Sequence, residues 1–153
     1  MEHSDHIKPF VEMLASGNLK LVRDKTTALQ VNVGYLCNQR CRHCHLEAGP
    51  AREEVMSLET MNEIIDYARQ FSFSVIDITG GAPEMVPYID YLISNLVPLT
   101  PRFMFRSNLS ALGQKNREEL IYLLKEHKAV IIASMPSINK AQTDGQRGIG
   151  IFK

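Results

Sequence analysis

Three cysteines stand within the stretch CNQRCRHCH (37–45), and the chain has no others. That stretch admits three metal chemistries. As Cys-x-x-x-Cys-x-x-Cys it offers Cys37, Cys41 and Cys44 as thiolates wrapping one corner of an iron–sulfur cubane. As Cys-x-x-Cys-His it is an attachment site for c-type haem. With His43 or His45 beside the thiolates it is a tetrahedral zinc site. Haem fits worst, because covalent attachment accompanies export, no secretory signal opens the chain, and Cys37 is left without a part. Zinc ribbons and fingers usually staple two separated ligand pairs. Here every candidate crowds one loop, with no second cluster downstream, yet the zinc reading stays open.

An odd, clustered set of thiols argues against a disulfide framework. The length of 153 residues suits one domain with a core of its own. Basic and acidic residues number 17 each, so charge makes no case for nucleic acid or an anionic membrane as partner. No apolar run approaches the ~18 residues of a membrane span, and the expected compartment is the cytoplasm.

The elements that must position the cysteines follow from hydrophobic period and punctuation. HIKPFVEMLASG (6–17) reads as a short helix closed by Gly17. TALQVNVGY (27–35) is a β-branched strand running straight into the cysteine loop. Ser57 suits the cap of a helix carrying Met61, Ile64, Ile65 and Ala68. SVIDITGG (74–81) is a second strand ended by a glycine pair, and Pro83 suits the first turn of the helix after it. RFMFRSN (102–108) is a third strand. Asn116 and Glu119 resemble a capping box for a further helix, and AVIIASM (129–135) is a fourth strand. The remainder, polar and glycine-rich, reads as loop or disorder. Three units therefore divide the chain: an N-terminal helical extension (1–26), a βα domain (27–136) and a flexible tail (137–153).

Strands alternating with amphipathic helices imply an α/β fold with a parallel sheet. Val75, Arg102 and Ala129 open strands at equal intervals, which fits a (β/α) barrel or part of one. Sites in such folds form at the carboxyl ends of the strands. The cysteine loop, TGGAPE, RSN and SMP all fall there, so the unusual residues share one rim.

A [4Fe–4S] cluster usually takes four cysteines, and three leave one iron open. The amino and carboxylate pair of S-adenosylmethionine (SAM) can fill such a position. The cysteine loop indeed resembles the signature of the radical SAM superfamily, and TGGAPE resembles its glycine-rich motif. LQVNVGYLCNQRCRHCHLEAGP, DITGGAPE, RSNLS and QRGIGIF are similar at a finer level to the arsenosugar-biosynthesis radical SAM proteins. The resemblance implies a [4Fe–4S] cluster on Cys37, Cys41 and Cys44. It also implies His43 near the adenine, and Gly80 and Gly81 admitting backbone carbonyls to the methionyl ammonium. Glu84 would receive the same ammonium. Arg106 and Asn108 share a face at the end of the third strand, and an inward Arg106 would hold the SAM carboxylate. The implied activity is reductive cleavage of SAM, with 5′-deoxyadenosyl transfer to a dimethylated arsenical as the small-molecule substrate and a flavodoxin or ferredoxin as reductant.

The chain also departs from that pattern. Superfamily cores usually have six βα units, and four strands are legible here. The chain therefore resembles the N-terminal half of such an enzyme, with a fourth strand left as an apolar edge. A second chain completing the barrel is an expected partner. A non-catalytic cluster-binding half-protein and a zinc-stabilised binding module are the alternatives.

Overall fold

The computed structural model describes residues 8–152. Four strands, β1 (Ala28–Asn32), β2 (Val75–Thr79), β3 (Phe103–Ser107) and β4 (Val130–Ala133), form one parallel sheet in the order β1-β2-β3-β4. Helices α2 (Leu58–Gln70), α3 (Ile89–Leu96) and α4 (Glu118–Glu126) make the crossovers. Before them stands α1 (Phe10–Ser16), and after them α5 (Lys140–Arg147). This is the expected α/β architecture, a four-stranded part of a barrel.

Alternation along each strand decides what each face of the sheet meets. Ile76 and Ile78 of β2, and Phe103 and Phe105 of β3, are buried with Met61, Ile65, Leu92, Ile93, Leu96, Leu120 and Leu124 from the crossover helices. The opposite face carries Gln30, Asp77 and Arg106. Gln30 lies opposite Asp77 across β1 and β2, and its Nε2 donates to Asp77 Oδ2 at 2.8 Å. Parallel strands covered on both faces read as continuous apolar runs. The polar row of Gln30, Asp77 and Arg106 sets this face apart from the apolar, helix-covered one.

Helix ends show where local signals held and where they failed. Ser57 Oγ accepts from the Thr60 N–H at 3.1 Å, capping α2 as expected. Asn116 does not cap α4. It lies inside a short 3₁₀ turn, Lys115–Arg117, and the N-cap position falls to Arg117, whose side chain makes no cap bond. Of the helix expected over 6–17, residues 6 and 7 lie outside the described span. Gly17 is the C-cap, and the left-handed residue is Asn18 at φ 52°.

The largest difference lies in residues 137–153, expected to be flexible. Residues 140–147 form α5, capped by Asn139, whose Oδ1 accepts from the Gln142 N–H at 3.2 Å. The helix is tied to the rest of the chain, since the Arg42 N–H donates to the Gln146 carbonyl at 2.8 Å. β4 pairs with β3 alone among the described residues, and Val130 and Ile131 are exposed beside its open edge. No helix among the described residues is long and apolar enough to cross a membrane.

Phe105 is fully buried between sheet and helices. Phe105→Ala should lower unfolding free energy by about 3–5 kcal/mol, whereas Tyr122→Ala on the exposed face of α4 should change it by less than about 0.5 kcal/mol. Urea unfolding followed by circular dichroism measures both.

Candidate functional site

The cysteine loop leaves β1 and is held at both ends by backbone bonds. At its base the Cys37 N–H donates to the Gly49 carbonyl at 3.2 Å, and the Gly49 N–H to Tyr35 at 3.1 Å. The loop also lies directly on the end of β2. The Gly81 N–H donates to the Gly34 carbonyl at 2.9 Å and the Ala82 N–H to the Leu36 carbonyl at 2.8 Å. A Cβ on Gly81 would run into the Leu36 carbonyl oxygen, and one on Gly80, at φ 152°, would come within 2.9 Å of the Gly34 oxygen. The glycine pair is thus demanded by the close approach of two backbones, whatever ligand it also admits.

Beneath the loop runs a buried hydrogen-bond network. Gln39 is 3% exposed; its Nε2 donates to Ser110 Oγ at 2.7 Å and its Oε1 accepts from Arg147 Nε at 3.0 Å. Arg147, 6% exposed, also donates through Nη1 to the Ser134 carbonyl at 2.6 Å. Asn108 Nδ2 donates to Asn38 Oδ1 at 2.9 Å and to Cys37 Sγ at 3.6 Å. The Gln39 N–H donates to the same sulfur at 3.4 Å. Buried polar groups are costly unless paired, and here the pairing locks the loop to the end of β3 and to α5.

A cavity of about 280 Å³ opens at the carboxyl ends of the strands. Cys37, Cys41 and Cys44 line it together with His43, Gly80, Gly81, Arg106 and Asn108. Glu84 is not on this wall. It is fully buried, with Oε1 accepting from Ser107 Oγ at 2.7 Å, because alternation turns Ser107 away from Arg106 and toward the helix side. Glu84 Oε2 is buried without a hydrogen-bond partner among the described residues, and Ser107, which holds Oε1, itself lines the cavity. Arg106 donates through Nε to both Asp77 oxygens at 3.0 Å, and through Nη2 to Oδ2 at 2.8 Å. Its Nη1 has no partner among the described residues, so the guanidinium is aimed by Asp77 while one edge stays available.

Arg147 and Gln39 were not legible as site residues. A signal for α5 does exist in Asn139, a good N-cap, but Gly145 and the polar composition mask the helix that follows.

Cys37 is the buried thiol, whereas Cys41 and Cys44 are partly exposed. Burial pushes the Cys37 thiol above its ordinary range, opposed by the N–H donors of Gln39 and Asn108 and reinforced by Cys41 and Cys44. Among the described residues no three His, Cys, Asp or Glu side chains converge closely enough to share one metal ion. A tetrahedral zinc ion requires such convergence, with Zn–S near ~2.3 Å. A cubane asks less, since each thiolate takes a different iron. The donor set, three thiols on one cavity wall with no fourth cysteine, fits a site-differentiated [4Fe–4S] cluster.

On the outer side of the loop, Arg52 Nη2 donates to Glu54 at 2.8 Å and Nη1 to the Glu47 carbonyl at 3.2 Å, and the guanidinium lies 4.7 Å from the centre of the Tyr35 ring. The hydrogen bonds from Arg52 hold the Glu54 carboxyl down at about 2. A lowered carboxyl pKa contributes stability above its ordinary value, and that stability is lost as pH falls. The window runs from about 4.5 to about 2. In Arg52→Ala the Glu54 carboxyl should titrate higher by NMR, though still below the ordinary range because the backbone N–H groups of Glu53 and Glu54 also hold it down, and unfolding stability should fall less steeply with acid across that window.

These features coincide with the findings from known proteins. The radical SAM superfamily matches residues 31–139. AlbA of Bacillus subtilis (strain 168), an antilisterial bacteriocin subtilosin biosynthesis protein, is 28% identical over 114 residues, covering 73% of this chain and 25% of its own length. SuiB of Streptococcus suis bound to SAM superposes with a TM-score of 0.68 at 18% identity, covering 92% of this chain and 32% of SuiB. SuiB bound to its precursor peptide SuiA gives a TM-score of 0.67 at 18% identity, with 91% and 30% covered. The chain thus spans about a quarter to a third of these relatives, and the likeness to SuiB is one of fold. The match across most of the chain, with all three motif cysteines inside it, shows that the chain belongs to the radical SAM superfamily.

Proposed function

We propose that this chain binds a [4Fe–4S] cluster through Cys37, Cys41 and Cys44 and cleaves SAM reductively at the iron that lacks a protein ligand. The observation that carries the reading is the shared cavity: three thiols, the glycine turn and a pre-aimed guanidinium all meet at the strand ends. The chemistry supplied by such a cluster when bound is one-electron reduction of the SAM sulfonium, giving methionine and a 5′-deoxyadenosyl radical.

This chain's residues bind and orient. Arg106 holds the SAM carboxylate through the Nη1 edge that Asp77 leaves open, since a planar guanidinium matches a carboxylate. Gly80 and Gly81 present backbone to the methionyl ammonium at the turn where no side chain fits. His43, exposed on the cavity wall, stacks on or hydrogen-bonds the adenine. A flavodoxin- or ferredoxin-type protein delivers the electron, and further polypeptide pairs with the open edge of β4.

Two substrate classes are supported by different observations. The motif resemblance of DITGGAPE and QRGIGIF favours a dimethylated trivalent arsenical, which would take up the 5′-deoxyadenosyl group. The likeness to a bacteriocin biosynthesis protein and to a fold solved with a precursor peptide favours a peptide substrate instead. The relatives named above lend the arsenical no support.

Anaerobically reconstituted protein reduced with dithionite should convert SAM to methionine and 5′-deoxyadenosine, and Cys37→Ala, Cys41→Ala and Cys44→Ala should each reduce product to background. Mass spectrometry after adding the arsenical or a bacteriocin-type precursor peptide separates the two classes. A 5′-deoxyadenosyl arsenical supports the first, and a peptide altered in mass with 5′-deoxyadenosine released supports the second. Reconstituted wild type that leaves SAM intact would overturn the proposal.

A further inference from the structure

The three thiols do not share one environment. Cys37 is 7% exposed and receives two N–H donors, from the Gln39 backbone at 3.4 Å and Asn108 Nδ2 at 3.6 Å. Cys41 Sγ makes one contact of its own, toward Gln39 Oε1 at 3.5 Å, and is partly exposed. Cys44, also partly exposed, has no side-chain hydrogen bond among the described residues. Cys41 and Cys44 are partly exposed, while the buried Cys37 sulfur is met by protein donors.

The orientation of the Asn108 amide follows from its surroundings. Its Oδ1 accepts from the Ser110 N–H at 2.9 Å and the Ala111 N–H at 3.4 Å. Those donors fix the oxygen end, and Nδ2 must then face Cys37 Sγ and Asn38 Oδ1. The Asn108 backbone carbonyl accepts from Arg147 Nη2 at 3.4 Å, which holds the residue from its other side.

We infer that Asn108, together with the Gln39 N–H, sets the reduction potential of the cluster through Cys37. The inference rests on the cluster assignment proposed above. A donor on a ligating sulfur withdraws electron density from the iron–sulfur bond and stabilises the more negative, reduced state, so it raises the potential. Burial of the same sulfur acts in the opposite direction, because a low-dielectric surrounding disfavours added negative charge. Asn108 therefore offsets the burial of Cys37 and keeps the cluster within reach of a protein reductant. It acts as a positioning and tuning residue.

The test is Asn108→Ser. Serine keeps a short side-chain oxygen to accept from the Ser110 and Ala111 N–H groups, while the donor to Cys37 is lost. Wild type and variant are reconstituted anaerobically, assayed for iron and sulfide, and titrated by EPR without SAM. The expected result is a lower midpoint potential in the variant with unchanged iron and sulfide per chain. An exchangeable-proton coupling to the cluster, seen by ENDOR in wild type, should weaken in the variant. Equal midpoints would overturn the inference and leave the cluster assignment standing. So would a variant that takes up no cluster while wild type does, since that makes Asn108 structural. Wild type that takes up no iron–sulfur cluster would bring down the assignment and the inference together.

Discussion

The site depends on the backbone of the cysteine loop resting directly on the backbone that ends β2. Leu36, one residue before the first cysteine, meets Gly81 so closely that any side chain there would displace it, and bonds from Gly81 and Ala82 fix the contact. A parallel sheet brings the carboxyl ends of adjacent strands side by side. The glycine pair converts that adjacency into one continuous wall. Gln39 and Asn108 then join the cysteine loop to the polar end of β3.

The second layer of support is polar. Gln39 and Arg147 are charged or amide side chains held almost out of water, in a network that joins the loop, β3 and α5. Satisfied networks of this kind specify one arrangement rather than adding much stability. Here the arrangement specified is that of Cys37 and Cys41. On the open face of the sheet, Asp77 does the same for Arg106, holding one edge of the guanidinium and leaving the other toward the cavity. The sheet's helix-covered face carries the apolar core, and its open face and strand ends carry the polar side chains and the thiols.

Much of this was legible from the sequence, for identifiable reasons. Four strands, the capped helix after Ser57 and the cysteine loop carry strong local signals of period, punctuation and residue type. The glycine pair was also legible, although its first duty is to admit Leu36. Other features depend on tertiary neighbours and leave little local trace. Glu84 turns inward because Ser107 lies on the covered side of β3, which TGGAPE alone does not reveal. The pairing of Arg106 with Asp77 spans two strands. Arg147 belongs to a helix whose glycine and polar residues read as loop, and the helix is held by contacts with a loop a hundred residues earlier in the chain.

The proposed function requires three thiolates of this loop to hold a cluster with one iron open to SAM. Its most direct test is ENDOR spectroscopy of the reduced, reconstituted protein with SAM labelled by ¹⁵N at the amino group and ¹⁷O at the carboxylate. Couplings from both labels to a [4Fe–4S]⁺ signal are expected, showing that SAM chelates the open iron. A cluster signal without either coupling, or one tightly bound zinc per chain in place of iron and sulfide, would contradict it.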